Sequence, residues 1–378
     1  MPTYTPETLI ARLKRQCAPL DPAIEAAFRA VPRHVFLPGI PPRNVYRDES
    51  IPLKRDERGG VTIASTQPSM TARMLAQLEL KPGHNVLQVG AGSGYTAALI
   101  QHIVGSSGRV TAIEIDRVTA AQAGENLQRV QMGNVNVVEG DGTNGYAPRA
   151  QYDRIIVNGT IWDVPVAWVR QLKSDGILVA PLWLDALQYS AAFRIETKEN
   201  LHSESNEACA FVPLRGSAQG PGMTVRIGGS SLMLTGQMNR LDSASLHLLL
   251  SETAEIDYLG APLTGRKSKR NFLPFFMLHL PPEFVFCLYD AQGEQQPYGM
   301  NRRGFVVLSP GSAAFVSLEG DLRAWVFGGA DEIVAAQDTY AAWLTAGMPG
   351  DEHLRVCLVA HEDDGPPAPE DVHVYPRT

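Results

Sequence analysis

The segment VLQVGAGSGYTAALI, residues 86–100, passes from a mostly apolar run through three closely spaced glycines into an apolar helical pattern. Strand, glycine turn and helix in that order make a nucleotide-binding turn. Without side chains, Gly90, Gly92 and Gly94 let the backbone bend sharply and approach a ligand, whose polar atoms meet free N–H groups at the helix start. Outward from this turn, short apolar runs alternate with helical stretches between residues 82 and 214: NVLQVG, RVTAIEI, NVNVVEG, YDRIIVNG and GILVAPL. Strands alternating with helices predict an α/β fold, a doubly wound, mainly parallel sheet covered on both faces.

The glycine spacing then selects the ligand. A dinucleotide site wants G-x-G-x-x-G, whose third glycine lets helix pack on strand beneath a pyrophosphate. Here the order is G-x-G-x-G followed by Tyr95, with Ala97 where the further glycine would fall. The compact form suits S-adenosylmethionine, which has no pyrophosphate, and makes an NAD-dependent dehydrogenase a weak reading. The next strand ends on Glu114, an acid placed to accept from both ribose hydroxyls. After the third strand comes EGDG, where Asp141 is suited to an adenine amino group and Gly142 leaves room for the ring.

With 378 residues, the chain is long enough for two domains with separate cores. Hydrophobic residues at 44% and charged residues at 19% make it globular. A net charge of -7 argues against general affinity for nucleic acid or anionic membranes. Cys17, Cys209, Cys287 and Cys357 are scattered, with no CxxC and no histidine at ligand spacing, so neither disulfides nor a metal site is expected. The opening residues lack the pattern of a signal peptide, and the expected location is cytoplasmic. NFLPFFMLHLPPEFVFCLY, residues 271–289, is broken by Pro274, Pro281 and Pro282 and reads as buried strands, not a membrane span.

Residues 7–31 carry two helical apolar patterns separated by Pro19 and Pro22. LRGSAQGPGMT, residues 214–224, marks a domain boundary by its glycine, serine and proline content. The expected domains are therefore 1–222, with a helical lead-in over 1–60, and a smaller α+β domain over 223–378. In the latter, FVVLSPGSAAFVSL reads as a hairpin, ADEIVAAQDTYAAWLTAG as a helix stopped by Gly347, and LRVCLVAH as a strand. RKSKR, residues 266–270, is the densest basic run, either a solvated loop or a grip on an acidic peptide.

Seven segments together resemble the protein-L-isoaspartate O-methyltransferases: AAFRAVPRHVFLP, TIASTQPSMTARML, VLQVGAGSGYTAALI, GRVTAIEID, VVEGDGTNGYAPRAQYDRIIVNG, VRQLKSDGILVAPL and FVPLRG, in that order. The resemblance covers roughly residues 7–216. It implies S-adenosylmethionine as cofactor, with Gly90, Gly92 and Gly94 at its methionine end, Glu114 and Ile115 at the ribose and adenine, Asp141 and Gly142 at the adenine, and Ile63 beside it. TIASTQP corresponds to the family's T-I-S-x-P loop, whose serine lies by the sulfonium and the acceptor carboxylate. Two extra residues here leave Ser65 or Thr66 in that place. Thr71 stands where some members carry His, and Arg215 where some carry Thr, so both become substrate-binding candidates.

On pattern alone the same loop is a helix entrance, with Thr66 or Gln67 capping and Pro68 at the first helical position. His34 reads as structural, because methylating an ionised carboxylate needs no general base. Trp162 and Asp163, at a strand's C-terminal end, either border the cleft or form an ordinary loop.

The resemblance implies transfer of a methyl group to an aspartyl or isoaspartyl carboxylate of a protein or peptide. One alternative is a tailoring enzyme that esterifies an Asp of a ribosomally made peptide to form aspartimide or isoaspartate; another is an inactive cofactor-binding module. In the tailoring alternative the C-terminal domain and RKSKR recognise the peptide, so that deleting 223–378 abolishes action on that peptide but spares generic isoaspartyl peptides. Nothing in the sequence sets an oligomeric state.

Overall fold

The computed structural model describes residues 5–195, 200–261, 271–291, 297–359 and 372–376. The chain divides into two compact units, the first built largely from the N-terminal half.

In the first unit, α1 (Pro6–Gln16) and α2 (Pro22–Ala30) begin at Thr5 and Asp21, whose side chains accept from backbone N–H groups of the first turn. Leu9, Ile10 and Leu13 of α1 and Ile24, Ala27 and Phe28 of α2 are buried, the stripe expected from their spacing. A short α3 (Pro42–Val45) leads to an antiparallel hairpin of β1 (Ile51–Arg55) and β2 (Val61–Ser65), and α4 (Pro68–Gln77) follows.

The sheet begins with β3 (Asn85–Val89), β4 (Arg109–Glu114), β5 (Asn136–Glu139), β6 (Tyr152–Val157) and β7 (Leu172–Leu184). They are parallel, in the order β5-β4-β3-β6-β7. Helices α5 (Tyr95–Val104), α6 (Arg117–Arg129) and α7 (Val166–Gln171) occupy crossovers. Nearly every side chain of β3, β4 and β6 is buried, as strands covered on both faces require. The chain leaves β3 for β4 and β5 and returns to β6 on the other side of β3. A crevice opens at such a reversal of strand order, over the strands' C-terminal ends. Beyond β7 lie β8 (Leu187–Arg194) and β9 (Asn200–Ala208), an antiparallel pair.

The second unit holds a seven-stranded antiparallel sheet. Its strands are β10 (Thr224–Arg226), β11 (Leu232–Gly236), β12 (Glu255–Tyr258), β13 (Val285–Ala291), β14 (Arg303–Ser309), β15 (Ser312–Ser317) and β16 (Arg323–Phe327), in the order β10-β11-β13-β14-β15-β16-β12. Alternation along β14 and β15 sends Val306 and Phe315 to one core with Leu246 and Trp325, and Phe305 to an aromatic cluster with Phe272, Phe276 and Tyr340. The expected hairpin is β14–β15, and the expected helix is Asp331–Thr345.

Two expectations change. The first half of NFLPFFMLHLPPEFVFCLY is a helix, Leu273–His279, and only the second half is strand β13. Pro274 sits in the helix's first turn, where a missing N–H costs nothing, and Pro281 and Pro282 follow its end. Among the described residues no helix is long and apolar enough to cross a membrane. The segment LRVCLVAH gives β17 (Leu354–Val359), which joins the first unit's sheet, antiparallel to β9 with Cys357 opposite His202. β18 (Val372–Pro376) forms that sheet's edge. The run RKSKR lies outside the described residues.

Candidate active site

The glycine turn fills the crevice floor between β3 and α5. Gly90, Gly92 and Gly94 have φ of 83°, 52° and 86°, a left-handed backbone that side chains disfavour. A Cβ on Gly90 would come 3.3 Å from the Asn158 carbonyl oxygen, so the turn also depends on glycine for its closeness to β6. The crevice encloses about 730 Å³ including the open space at its mouth.

On the β4 side, Glu114 is 4% exposed. Its Oε2 accepts from Gly92 N at 2.9 Å and its Oε1 from Asp116 N at 3.2 Å, with Arg215 Nη2 at 3.6 Å. Two backbone donors thus hold the Glu114 side chain at the lip of the turn with acceptor capacity left over. Ile115 and Gly142 line the crevice nearby, and so does Arg215.

Asp141 does not line it. Its Oδ1 accepts from Thr143 N and Oγ1, and its Oδ2 from Ser217 N and Oγ, at 2.7–2.9 Å. Burial opposes its charge, but these four donors prevail and bring its pKa down to about 2. Asp141 is therefore a pin for the turn after FVPL.

The loop TIASTQP is the end of strand β2 and the entrance of α4. Ile63, Ser65 and Thr66 all line the crevice. Behind them lies Arg33, fully buried. Its Nη1 donates to the carbonyls of Val45 and Arg47, and its Nη2 to Glu49 O, Thr66 O and Ser65 Oγ. Burial lowers its pKa, and the Tyr95 ring lies 5.8 Å away. This arginine received no role from the sequence; a charge between Pro32 and His34, just ahead of the apolar run Val35 to Leu37, was the available signal.

Helix α4 is not capped by its own chain segment. Gln67 occupies the N-cap without a side-chain bond to the helix, and Asp48 substitutes: its Oδ1 accepts from Ser69 N at 2.8 Å and its Oδ2 from Gln67 Nε2 at 3.1 Å. Thr66 is thereby released from capping.

Thr71 is 2% exposed, donates its hydroxyl to Gln67 O at 3.3 Å, and does not line the crevice. His34 meets the Tyr46 hydroxyl at 2.7 Å and lies outside it. Trp162 and Asp163 also lie outside it. Among the lining residues that the sequence reading gave no role are Gln88, Asn158 and the segment Val212 to Leu214. Among the described residues no group of three or more His, Cys, Asp or Glu is arranged to hold a metal.

The family model described as Protein-L-isoaspartate(D-aspartate) O-methyltransferase matches residues 4–219. The chain is 37% identical over 210 residues to protein-L-isoaspartate O-methyltransferase 2 of Archaeoglobus fulgidus, covering 56% of this chain and 92% of that one. It is 38% identical over 213 residues to the protein-L-isoaspartate O-methyltransferase of Methanopyrus kandleri, covering 56% and 91%. A solved structure named protein-L-isoaspartate O-methyltransferase superposes with a TM-score of 0.56 over 99% of this chain and 100% of its own. At 23% identity that likeness speaks to the fold.

Proposed function

The chain belongs to the protein-L-isoaspartate(D-aspartate) O-methyltransferase family, and on that premise we propose that its crevice brings S-adenosylmethionine against an isoaspartyl or aspartyl carboxylate of a protein or peptide. The observation that carries this reading is convergence: the glycine turn, Glu114 and the Ser65–Thr66 strand end all face one crevice at the β3–β6 reversal. The residues fit the cofactor, since the turn admits close approach at Gly90 and Gly92 and Glu114 keeps acceptor capacity for ribose hydroxyls. When bound, S-adenosylmethionine supplies an electrophilic methyl group on a sulfonium.

The protein's part is positioning. Gly90 and Gly92 would hold the methionine end, Glu114 the ribose, and Ile115 and Gly142 the faces of the adenine, with Ile63 closing the β2 side; Gly94 lies outside the crevice lining, where a Cβ would meet the Ala123 carbonyl oxygen of α6 at 3.2 Å. Ser65 and Thr66 orient the acceptor carboxylate, and Arg33 fixes them by gripping Ser65 Oγ and Thr66 O. That carboxylate is ionised near neutral pH and needs no general base: the bound cofactor would supply the methyl group, whose new O–C bond would replace the C–S bond with no proton moved. The products are a methyl ester and S-adenosylhomocysteine. Opposite charges neutralise each other along this path, and a crevice that excludes water favours the step. Arg215, paired with Glu114 at the mouth, is placed to meet the acidic side of a peptide.

The relatives lend no weight to the peptide-tailoring or inactive-module alternatives. Four free cysteines suit a reducing compartment, which supports a cytoplasmic site of action. The test is incubation with methyl-labelled S-adenosylmethionine and an isoaspartyl peptide. Base-labile label on the peptide is the expected result, and its absence overturns the reading. Ser65→Ala and Thr66→Ala, made separately, are expected to lower kcat/KM by about tenfold in whichever one supplies the orienting hydroxyl; full activity in both removes hydroxyls from the mechanism.

A further inference from the structure

The lip of the crevice carries an ion pair that stands where a ligand's ribose would go. Arg215 Nη2 lies 3.6 Å from Glu114 Oε1, the arginine side chain 33% exposed and the glutamate side chain 5%. Both residues line the crevice. Glu114 already accepts from Gly92 N at Oε2 and from Asp116 N at Oε1, which leaves about one site on each oxygen, and the guanidinium stands over the one at Oε1. A ribose that brings two hydroxyls to this side chain competes with Arg215 for it.

The carboxylates on either side offer a displaced Arg215 little. Asp141 packs against the next residue, Gly216, but its two oxygens already take four bonds from Thr143 and Ser217. Asp116, two residues beyond Glu114, is taken by Lys54 and by the N–H and hydroxyl of Thr119. The backbone around Arg215 is fixed as well: Leu214 N donates to Thr160 O at 2.8 Å, and Ser217 N to Asp141 Oδ2 at 2.7 Å. What can move is the arginine's own stem, a long side chain one third exposed. Freed from Glu114, its charge is left to a partner that arrives from outside.

We propose that Arg215 couples the two substrates: the cofactor's ribose takes its place on Glu114, and the freed guanidinium binds an acidic side chain beside the isoaspartyl residue of the peptide. The proposal rests on the crevice being the S-adenosylmethionine site. It names a substrate class, isoaspartyl peptides with Asp or Glu next to the modified residue, and an order, cofactor before peptide. Such coupling is mutual, so an acidic peptide also tightens the cofactor. Its size is set by the pair that must open, and a part-exposed ion pair amounts to a factor of up to about five.

The test uses calorimetry with S-adenosylhomocysteine and two isoaspartyl peptides that differ only in Glu or Gln beside the isoaspartyl residue. Saturating the protein with S-adenosylhomocysteine is expected to improve binding of the Glu peptide about fivefold more than binding of the Gln peptide. Arg215→Gln is expected to abolish that difference and to bind S-adenosylhomocysteine more tightly by a similar factor, because Glu114 is released; an arginine that only held the turn together would weaken it instead. Arg215→Lys, which keeps the charge and loses the planar fork, is expected to retain part of the difference. Thermal unfolding of each variant checks that the fold is kept. Equal gains for the two peptides, a difference that survives in Arg215→Gln, or no tightening of S-adenosylhomocysteine in that variant overturns the proposal. If the unaltered protein does not bind S-adenosylhomocysteine, the cofactor reading itself falls, and that failure is distinct from the others.

Discussion

Arg33 touches no reacting atom in the proposed chemistry, yet its guanidinium ties the segments that carry Val45, Arg47, Glu49 and Thr66 into one frame. A buried charge is tolerated when most of its donors find acceptors, and a planar fork with five N–H groups reaches several carbonyls that a lysine would not. Asp141 works in the same way with the sign reversed. Its pKa of about 2 lies below the ordinary 3.8, so its carboxylate stabilises the fold above about pH 4 and that contribution is lost as pH falls toward 2. Asp141→Ala is expected to lower stability at neutral pH and to flatten the loss between pH 4 and 2, as chemical unfolding at a series of pH values will show. An unchanged acid profile would mean that the Ser217 and Thr143 contacts carry no net stabilisation. At this scale the sequence placed the three glycines in a left-handed turn and Glu114 at the end of a strand, because a turn and a strand end are local features. It misplaced Thr71, whose hydroxyl folds back on its own helix, since a position's neighbours in the chain do not say which way its side chain turns.

Elements divide the labour around the Ser65–Thr66 strand end. On pattern, the residues before Pro68 should cap α4, which would compete with a role toward substrate. Asp48 resolves the competition by supplying the cap from the preceding segment. Asp48→Ala is expected to cost about 1 to 2 kcal/mol of stability, the usual loss for a cap, whereas Thr66→Ala costs no cap; urea unfolding of the two variants compares them directly. Strands β3, β4 and β6 were legible nearly to their ends, because runs such as VLQV and RIIV bounded by glycine or charge have few other readings. The stretch after Asn271 was not. An apolar run with a proline near its start suits a helix's first turn as well as a broken strand, and only packing against Phe305 and Trp343 makes it a helix.

For the whole molecule, the path of the C-terminal segment changes what a truncation means. A boundary at 222 and 223 accounts for most of the division into units, but β17 returns to the first unit, where Val356 N donates to Ser203 Oγ at 2.8 Å beside the β9 pairing. Deleting 223–378 therefore strips two strands, β17 and β18, from the methyltransferase sheet and bares the β9 edge, a template for association. That truncation is expected to aggregate in size-exclusion chromatography. Excising 223–352 and rejoining the chain to β17 through a flexible linker is expected to leave a monodisperse unit that still labels isoaspartyl peptides. Equal solubility of the two products would show that β17 contributes nothing to that sheet.

What the sequence determined by itself is local in kind: the alternation of strands and helices, the left-handed glycine turn, the acid closing β4, and from these the class of cofactor. Backbone conformation and burial period are set within a few residues, so they can be read there. The tertiary structure alone decided which distant partners meet: Arg33 with Thr66, Asp48 with Ser69, Asp141 with Ser217, Gln88 with Asn158, and β17 with β9. Each joins groups tens of residues apart, more than 150 in the case of β17. Such contacts form only once packing has closed the loops between them, and no local pattern records which closures the core will favour.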